Sequence, residues 1–343
     1  MDFDLSDEQK QIKEVAHELL SARSPFAKVR EAAEAGAYDP ALWRELVELG
    51  WPGIAVSSEH GGQGLGAVEL SVLLEELGYA CAATPFFSTA TAAAVIDAAG
   101  TPEQRARWLP SLASGEATAG LGTPELAADA PDASVLVLLD GDDAGVVDRA
   151  DADIEPFVTI DPTRRFGTVS GEGESLGPGA ADRVRAALAA EVVGVCQRAL
   201  DMTLEYVKDR RQFGVPVGAF QAVSHRCAQM LLQTESSRSA AYFAAWAADA
   251  DPARLPEAAA LAAAATADAG REVTGSAIQA HGGIGFTWEA DVHWLYKRAQ
   301  LDAALLGGSG RHRAALSRLG AARVAAVPTS PARAMARSAS SLA

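Results

Sequence analysis

The stretch Tyr206-Val-Lys-Asp-Arg-Arg-Gln-Phe-Gly-Val-Pro-Val-Gly-Ala-Phe-Gln221 decides the fold. It predicts the end of one long helix, a turn at Gly214 and Pro216, and the start of a second helix. Arg210 at this turn can hold a phosphate or a nucleotide, because a guanidinium group pairs well with phosphate oxygens. A second corner marked by glycines, Gln279-Ala-His-Gly-Gly-Ile-Gly-Phe286, follows at the end of a later helix.

Long helices are predicted on both sides of these corners. Residues 182–211 form a 30-residue run without proline, which would span about 45 Å as a helix. The next helix begins near Phe220 and buries a face that includes Leu231, and further helices are predicted over residues 257–280 and 288–306. Four long helices with short connections predict an antiparallel four-helix bundle.

Upstream of the bundle the pattern is first helical and then β-like. Amphipathic segments with helix-start signals, such as Ser6 before Glu8 and Gln9, fill the first third of the chain. Short apolar runs at residues 135–139, 145–147 and 157–160, separated by Asp and Gly, predict a small β region. The fold class is therefore mostly α with a small β insert. The predicted units are an N-terminal helical domain (1–118), a reduced middle β domain (119–177), a C-terminal helical bundle (178–326) and a disordered tail (327–343).

The overall composition is that of a packed globular protein, with 49% hydrophobic and 22% charged residues in a chain of 343. A net charge of −16 argues against nucleic acid as a partner. Residues 116–181 carry 14 acidic and 3 basic side chains, so this segment alone has a net charge of −11. Three separated cysteines and no Cys/His cluster predict neither a disulfide framework nor a metal site. With no signal peptide or membrane-spanning stretch, the expected location is the cytoplasm.

Motifs along most of the chain resemble those of the acyl-CoA dehydrogenase family. The N-terminal domain of that family is similar to Leu5-Ser-Asp-Glu-Gln9, Leu49-Gly-Trp-Pro-Gly-Ile-Ala55, Glu59-His-Gly-Gly-Gln-Gly-Leu-Gly66 and Leu74-Glu-Glu-Leu-Gly78. Its C-terminal signatures are similar to Arg210-Arg-Gln-Phe-Gly214, Phe220-Gln-Ala-Val223 and Gln279-Ala-His-Gly-Gly283. Each motif alone is weak, but the ordered set covers about 320 residues and is specific.

The resemblance implies FAD as cofactor, bound across a subunit boundary, with the flavin ring in the neighbouring subunit. The implied contacts to its nucleotide half are Arg210, Gln212, Phe213, Gln221, Gln279, Ala280, His281, Gly282 and Gly283. Arg185 matches an arginine that contacts the acyl-CoA substrate in that family. Plainer explanations are also open: Arg210 offsets a helix dipole, the glycines end helices, and the glutamines are surface amides.

The family's catalytic base is missing from its usual place. A glutamate before a Gly-Thr pair removes the proton next to the thioester in most members, and the matching segment here is Leu305-Leu-Gly-Gly-Ser309. Leu306 therefore occupies the glutamate's position, and Val184 occupies the alternative position that some members use. Glu191 is the nearest acid along the long helix and a weak candidate. The middle domain is also about half the usual size, with Gly122-Thr-Pro-Glu125 as a remnant of the stretch that grips the flavin ring.

Three hypotheses follow from the resemblance. In the first, the chain is one subunit of a heteromeric acyl-CoA dehydrogenase, with a heterotetramer as the expected assembly, and a homologous partner supplies the base and the ring pocket. In the second, it is a homomeric enzyme with Glu191 as a relocated base. In the third, it is a non-catalytic acyl-CoA-binding or scaffold protein. The expected electron acceptor is an electron-transfer flavoprotein or a similar protein.

Overall fold

The computed structural model describes residues 4–326, so the predicted tail at 327–343 lies outside the described residues. The predicted fold class, mostly α with a small β insert, is confirmed. The helices are α1 (Asp7–Arg23), α2 (Phe26–Ala35), α3 (Pro40–Glu48), α4 (Ala67–Ala80), α5 (Phe86–Ala99), α6 (Pro102–Ala113), α7 (Ala180–Asp209), α8 (Gln221–Ala250), α9 (Leu255–His281), α10 (Val292–Leu305) and α11 (Ser309–Ala326). The strands are β1 (Ala119–Thr123), β2 (Leu126–Ala128), β3 (Val135–Asp140), β4 (Asp143–Asp148), β5 (Asp153–Phe157), β6 (Phe166–Ser170), β7 (Glu174–Ser175), β8 (Arg211–Gln212) and β9 (Val215–Pro216).

Local signals in the sequence account for several helix ends. The Ser6 hydroxyl accepts a hydrogen bond from the backbone of Gln9 at 3.2 Å, and the Gln9 side chain accepts one from the Ser6 backbone at 2.9 Å. This reciprocal capping box fixes the start of α1. Thr101 and Gln104 form the same arrangement at the start of α6.

The first seven strands form one sheet in the order β5-β6-β2-β1-β3-β4-β7. Its neighbouring pairs are antiparallel except β1 and β3, which run parallel. The sheet joins the N-terminal helices at its centre, where the Ala119 backbone donates to the Thr89 hydroxyl at 3.1 Å. The predicted domain boundaries, which remain predictions, fall between α6 and β1 and between β7 and α7.

Helices α4 and α7 cross at unusually close range. A Cβ atom added to Gly194 would lie 1.8 Å from the carbonyl oxygen of Glu75, and one added to Gly78 would lie 2.1 Å from that of Glu191. Both distances are far inside van der Waals contact, so only glycine fits at either position. This crossing joins the N-terminal helical region directly to the bundle.

Several predicted bounds differ from the structure. The bundle region has a fifth helix, α11, because Gly307 and Gly308 take left-handed backbone conformations (φ +75° and +76°) and end α10 before a new helix begins. Helix α10 starts at Val292 rather than at residue 288, since residues 287–291 form turns and bends after the 3-10 helix Gly282–Phe286. Leu231, predicted on a buried face of α8, is 50% exposed.

The third predicted strand is also shifted. The sequence predicts it at residues 157–160, but β5 ends at Phe157. Val158, the next residue, is 94% exposed. The segment that follows turns inward instead of pairing with the sheet, because Asp161 and Arg164 enter a buried cluster of charged side chains.

Candidate functional site

The first predicted corner is a short hairpin at the end of α7. Arg210 caps the helix, and its carbonyl accepts a hydrogen bond from the backbone of Val217 at 2.7 Å, which closes the β8–β9 hairpin. Phe213 sits at the hairpin tip with a left-handed backbone (φ +50°) and is 92% exposed. The side chain of Arg210 is exposed and makes no hydrogen bond or ion pair within residues 4–326. Its guanidinium is thus available to a ligand.

The second corner lies against the first through a ring stack. His281 at the end of α9 stacks on Tyr206 of α7, with ring centres 4.4 Å apart. Its Nδ1 lies 2.7 Å from the Ala277 carbonyl, and burial lowers the pKa of the ring. The imidazole of His281 is therefore engaged in contacts within the protein. What this corner offers to a ligand is backbone at Gly282 and Gly283, where an added Cβ would meet nothing within 4 Å.

The remaining predicted contacts lie around these two corners. Gln212 is exposed in β8, Gln221 is exposed at the first turn of α8, and Gln279 is exposed near the end of α9, while Ala280 is half-buried. None of these three glutamines forms a hydrogen bond to Arg210. The ring stack of Tyr206 and His281 brings the two corners together. The glutamine amides and the Arg210 guanidinium are not bonded to each other, and a shared ligand would be needed to bridge them.

An apolar groove of about 540 Å³ runs beside the hairpin. Its walls include Leu204 and Val207 from α7, Pro216 from β9, and Cys227 and Leu231 from α8. A flat aromatic ring system would bury its faces favourably in such a groove. The exposed cation, the open glycine backbone and this groove together fit the nucleotide half of FAD.

The position that the resemblance assigns to the catalytic base is buried. Leu306 is 3% exposed and packs within the main hydrophobic core. Arg185, predicted to contact acyl-CoA, donates to Asp182 at 2.7 Å, to the Gly141 carbonyl at 2.6 Å and to Asp142 at 3.0 Å. Its guanidinium is 8% exposed and holds the β3–β4 turn against α7. Both side chains are therefore engaged within the protein.

Glu191 lies in a cluster of five charged side chains between the middle sheet and the bundle, which we call the buried charge cluster. The members are Asp161, Arg164, Glu191, Arg298 and Asp302, and each is at most 4% exposed. Oε1 of Glu191 accepts from both arginines, with the Arg298 Nη1 at 2.9 Å. Arg298 also donates to Asp161 at 2.7 Å, and Arg164 donates to Asp302 at 3.0 Å.

Three carboxylates face only two guanidinium groups in this cluster. Oε2 of Glu191 and Oδ2 of Asp302 are buried and have no hydrogen-bond partner among residues 4–326. Burial raises the pKa of Asp302 well above its usual range, and the neighbouring Glu191 raises it further, while Arg164 and Arg298 oppose the shift. Burial and the excess of carboxylates thus favour the protonated form of Asp302.

The sequence analysis did not find four members of this cluster. The available signal was a charge within apolar surroundings, since Arg298 and Asp302 stand one helical turn apart on the buried side of α10. Asp161 and Arg164 come from the segment that directly follows the predicted third strand (157–160). No sequence period links that segment to α10, which is more than 100 residues away.

Two further structural findings concern alternative functions. Within residues 4–326 no group of three or more His, Cys, Asp or Glu side chains is placed to hold a metal ion. In the same part of the chain, every helix is too short or too polar to cross a bilayer.

The chain belongs to the acyl-CoA dehydrogenase family. The model of the acyl-CoA dehydrogenase N-terminal domain matches residues 6–116, and that of the C-terminal domain matches residues 175–320. The two matches leave most of the middle sheet between them. The predicted FAD cofactor is confirmed at the level of this family, whereas the individual contacts remain proposals.

Individual relatives support this assignment. The chain is 36% identical over 312 residues to acyl-CoA dehydrogenase IpdE2 of Mycolicibacterium smegmatis, covering 88% of this chain and 96% of that protein. It is 35% identical over 306 residues to IpdE2 of Mycobacterium tuberculosis, covering 88% and 93%. Among solved structures, the Tcur3481-Tcur3483 steroid ACAD variant aligns with a TM-score of 0.84 and 28% identity, covering 93% of this chain and 99% of that chain.

Proposed function

We propose that this chain is the base-lacking subunit of a heteromeric acyl-CoA dehydrogenase, which supplies nucleotide-side contacts to the FAD of a homologous partner. The observation that supports it is an asymmetry. Arg210 and the glycine backbone of the two corners are exposed and free to bind a ligand. Leu306 and Arg185, at the positions that would serve this chain's own flavin and substrate, are buried. A chain that only contributes to a neighbour's flavin site needs the exposed nucleotide contacts and does not need its own base or substrate contact.

The reaction of the assembly is α,β-dehydrogenation of an acyl-CoA thioester. FAD supplies the hydride acceptor when bound, and the partner's glutamate removes the proton. In this chain, Arg210 pairs with phosphate oxygens, Gln221 and Gln279 hydrogen-bond the nucleotide, and the apolar groove receives an aromatic ring. A steroid side-chain CoA thioester is the proposed substrate class, because a solved relative with 28% identity is a steroid ACAD.

The partner subunit and the electron acceptor are likewise proposed from similarity to relatives. The chain also has the fold of a protein in the ChsE4-ChsE5 complex of Mycobacterium tuberculosis, with a TM-score of 0.83 at 24% identity. We propose a heterotetramer with a longer homologue that carries both the glutamate and the full middle domain. An electron-transfer flavoprotein or a similar protein would accept the electrons from its flavin.

Expression with and without such a homologue tests the proposal. The chain purified alone should show little flavin absorbance and no dehydrogenation, and the co-expressed complex should show both. Arg210→Gln should weaken FAD retention by the complex at least about tenfold, since a charge-assisted hydrogen bond is lost. Arg254→Gln at the opposite end of the bundle is the matched control. Full activity of the lone chain, or unchanged flavin content in Arg210→Gln, would refute the proposal.

The homomeric alternative rests on Glu191 as base. Its side chain is 2% exposed and accepts from two buried arginines, an environment that stabilises the fold rather than reaching a substrate. We propose a structural role for Glu191. Glu191→Gln should lower the stability of the chain and leave the chemical step in the complex unchanged once the variant is folded. A stable complex with FAD bound but no turnover would instead support the relocated base.

A further inference from the structure

Four side chains at the start of α10 form a cluster that the flavin corners do not use. The rings of His293 and Trp294 lie 4.4 Å apart, and the Trp288 ring lies 4.9 Å from that of His293. The Lys297 ammonium is 4.1 Å from the centre of the Trp288 ring and 4.5 Å from that of Trp294. We call Trp288, His293, Trp294 and Lys297 the indole–lysine cluster.

The polar atoms of this cluster lack partners. Both ring nitrogens of His293 and the indole nitrogen of Trp294 are buried, and none has a hydrogen-bond partner among residues 4–326. Trp294 itself is only 3% exposed. Lys297 forms no hydrogen bond or ion pair with any residue in that range. Buried polar groups in proteins are almost always hydrogen-bonded, so several such nitrogens beside an ammonium held only by ring faces indicate a missing partner.

An acceptor oxygen would satisfy the donors of this cluster, and a negative charge on it would suit the Lys297 ammonium. Trp294 and Lys297 are pure donors, and the neutral His293 ring has one N–H to give. Burial lowers the pKa of His293 to about 4, so the ring stays neutral at physiological pH. Helix α10 adds the positive end of its dipole, with no side chain capping its N-terminus. The nearby Asp291 carboxylate is taken by Arg30 at 2.7 Å.

We propose that the indole–lysine cluster binds a single oxyanion group, a carboxylate or a phosphate. The Lys297 ammonium supplies the charge, and the Trp294 indole nitrogen and one His293 nitrogen donate hydrogen bonds. The Trp288 indole covers the site. It is 69% exposed, so it can swing aside to admit the anion without breaking core packing.

Titration of the purified chain, with no flavin and no partner, tests this site separately from the proposed function. Tryptophan fluorescence is followed against inorganic phosphate and against acetate, at constant ionic strength kept with sodium chloride. We expect a saturable change, because two of the four cluster residues are indoles. Saturation by phosphate alone assigns a phosphate ligand, and saturation by acetate alone assigns a carboxylate ligand.

Variants locate the binding. Lys297→Met should weaken it at least about tenfold, as expected for loss of a charged donor, and Lys297→Gln is a second, more polar variant in case the first does not fold. Lys28→Met on α2 is the matched control, and Arg210→Gln should leave the titration unchanged. A titration that does not saturate, or one that both Lys297 variants leave intact, overturns the proposal. Loss of the signal in Arg210→Gln also overturns it, because the anion would then lie at the flavin corner.

Discussion

Replacing Asp302 by asparagine should change how the stability of this protein depends on pH. Asp302 is fully buried, accepts one hydrogen bond from Arg164 at 3.0 Å, and has its other oxygen unpaired. Because burial raises its pKa well above the usual range, the folded chain keeps a proton that the unfolded chain releases near pH 4. Between these two pKa values unfolding releases a proton, so stability falls as the pH rises through that interval.

The size of the effect follows from proton linkage. One proton released on unfolding lowers the free energy of unfolding by about 1.4 kcal/mol per pH unit. This slope applies from the unfolded pKa near 4 up to the raised folded pKa of Asp302, so stability is lost over that interval. Asparagine has nearly the same shape, accepts the same hydrogen bond from Arg164 and carries no such proton. Asp302→Asn should remove this part of the pH dependence and be at least as stable as the wild type at neutral pH.

Urea unfolding followed by circular dichroism at several pH values measures both quantities. Glu191→Gln is the comparison, because it removes the carboxylate that faces Arg164 and Arg298 together. That variant should lose about 3–5 kcal/mol, the cost of leaving a buried cation uncompensated. Parallel pH profiles for the wild type and Asp302→Asn, or a comparable loss of stability in both variants, would refute the assignment of the proton to Asp302.

Three further predictions concern the close helix crossing, the buried cysteines and the position of Leu306. Gly194→Ala should destabilise the chain by more than about 2 kcal/mol because its methyl group meets backbone, whereas Gly275→Ala in the interior of α9 should stabilise it by about 0.5–1 kcal/mol; equal thermal shifts would contradict the close crossing. Burial raises the pKa of both Cys81 and Cys196 to about 12, so neither should react with a thiol reagent at about pH 8 in the native state, and fast labelling of either without denaturant would show an open core. Leu306→Glu should give the isolated chain no dehydrogenase activity, because Leu306 is 3% exposed and the new carboxylate would be buried in the hydrophobic core. Turnover by that variant alone would show that a substrate reaches this position.

The sequence predicted the elements whose signals are local. Capping residues such as Ser6 and the long apolar periods of α7–α9 act within a few residues, so their helices appear close to the expected bounds. The end of β5 was misplaced because the strand signal continues through Val158, while the inward turn after it depends on ion pairs with α7 and α10.

Among the residues of the candidate site, those in local motifs could also be predicted and those brought together by packing could not. Arg210 and the glycines of the second corner could be found because their motifs are contiguous. The buried charge cluster could not, since Glu191, Arg164 and Arg298 meet only after three distant segments have packed. A resemblance that places Leu306 at the base position likewise says nothing about whether space remains beside it.

The glycine contact between α4 and α7 also bears on how such a chain can be shortened. Gly78 belongs to the segment that matches the N-terminal domain model, and Gly194 to the segment that matches the C-terminal one. A fragment that stops near residue 118 would expose the surface of α4 that α7 normally covers. Neither the N-terminal nor the C-terminal part is therefore expected to fold stably by itself. The atoms that an added Cβ would meet at Gly78 and Gly194 belong to α7 and α4 and not to the middle sheet, so a change in the size of the sheet is expected to leave this crossing intact.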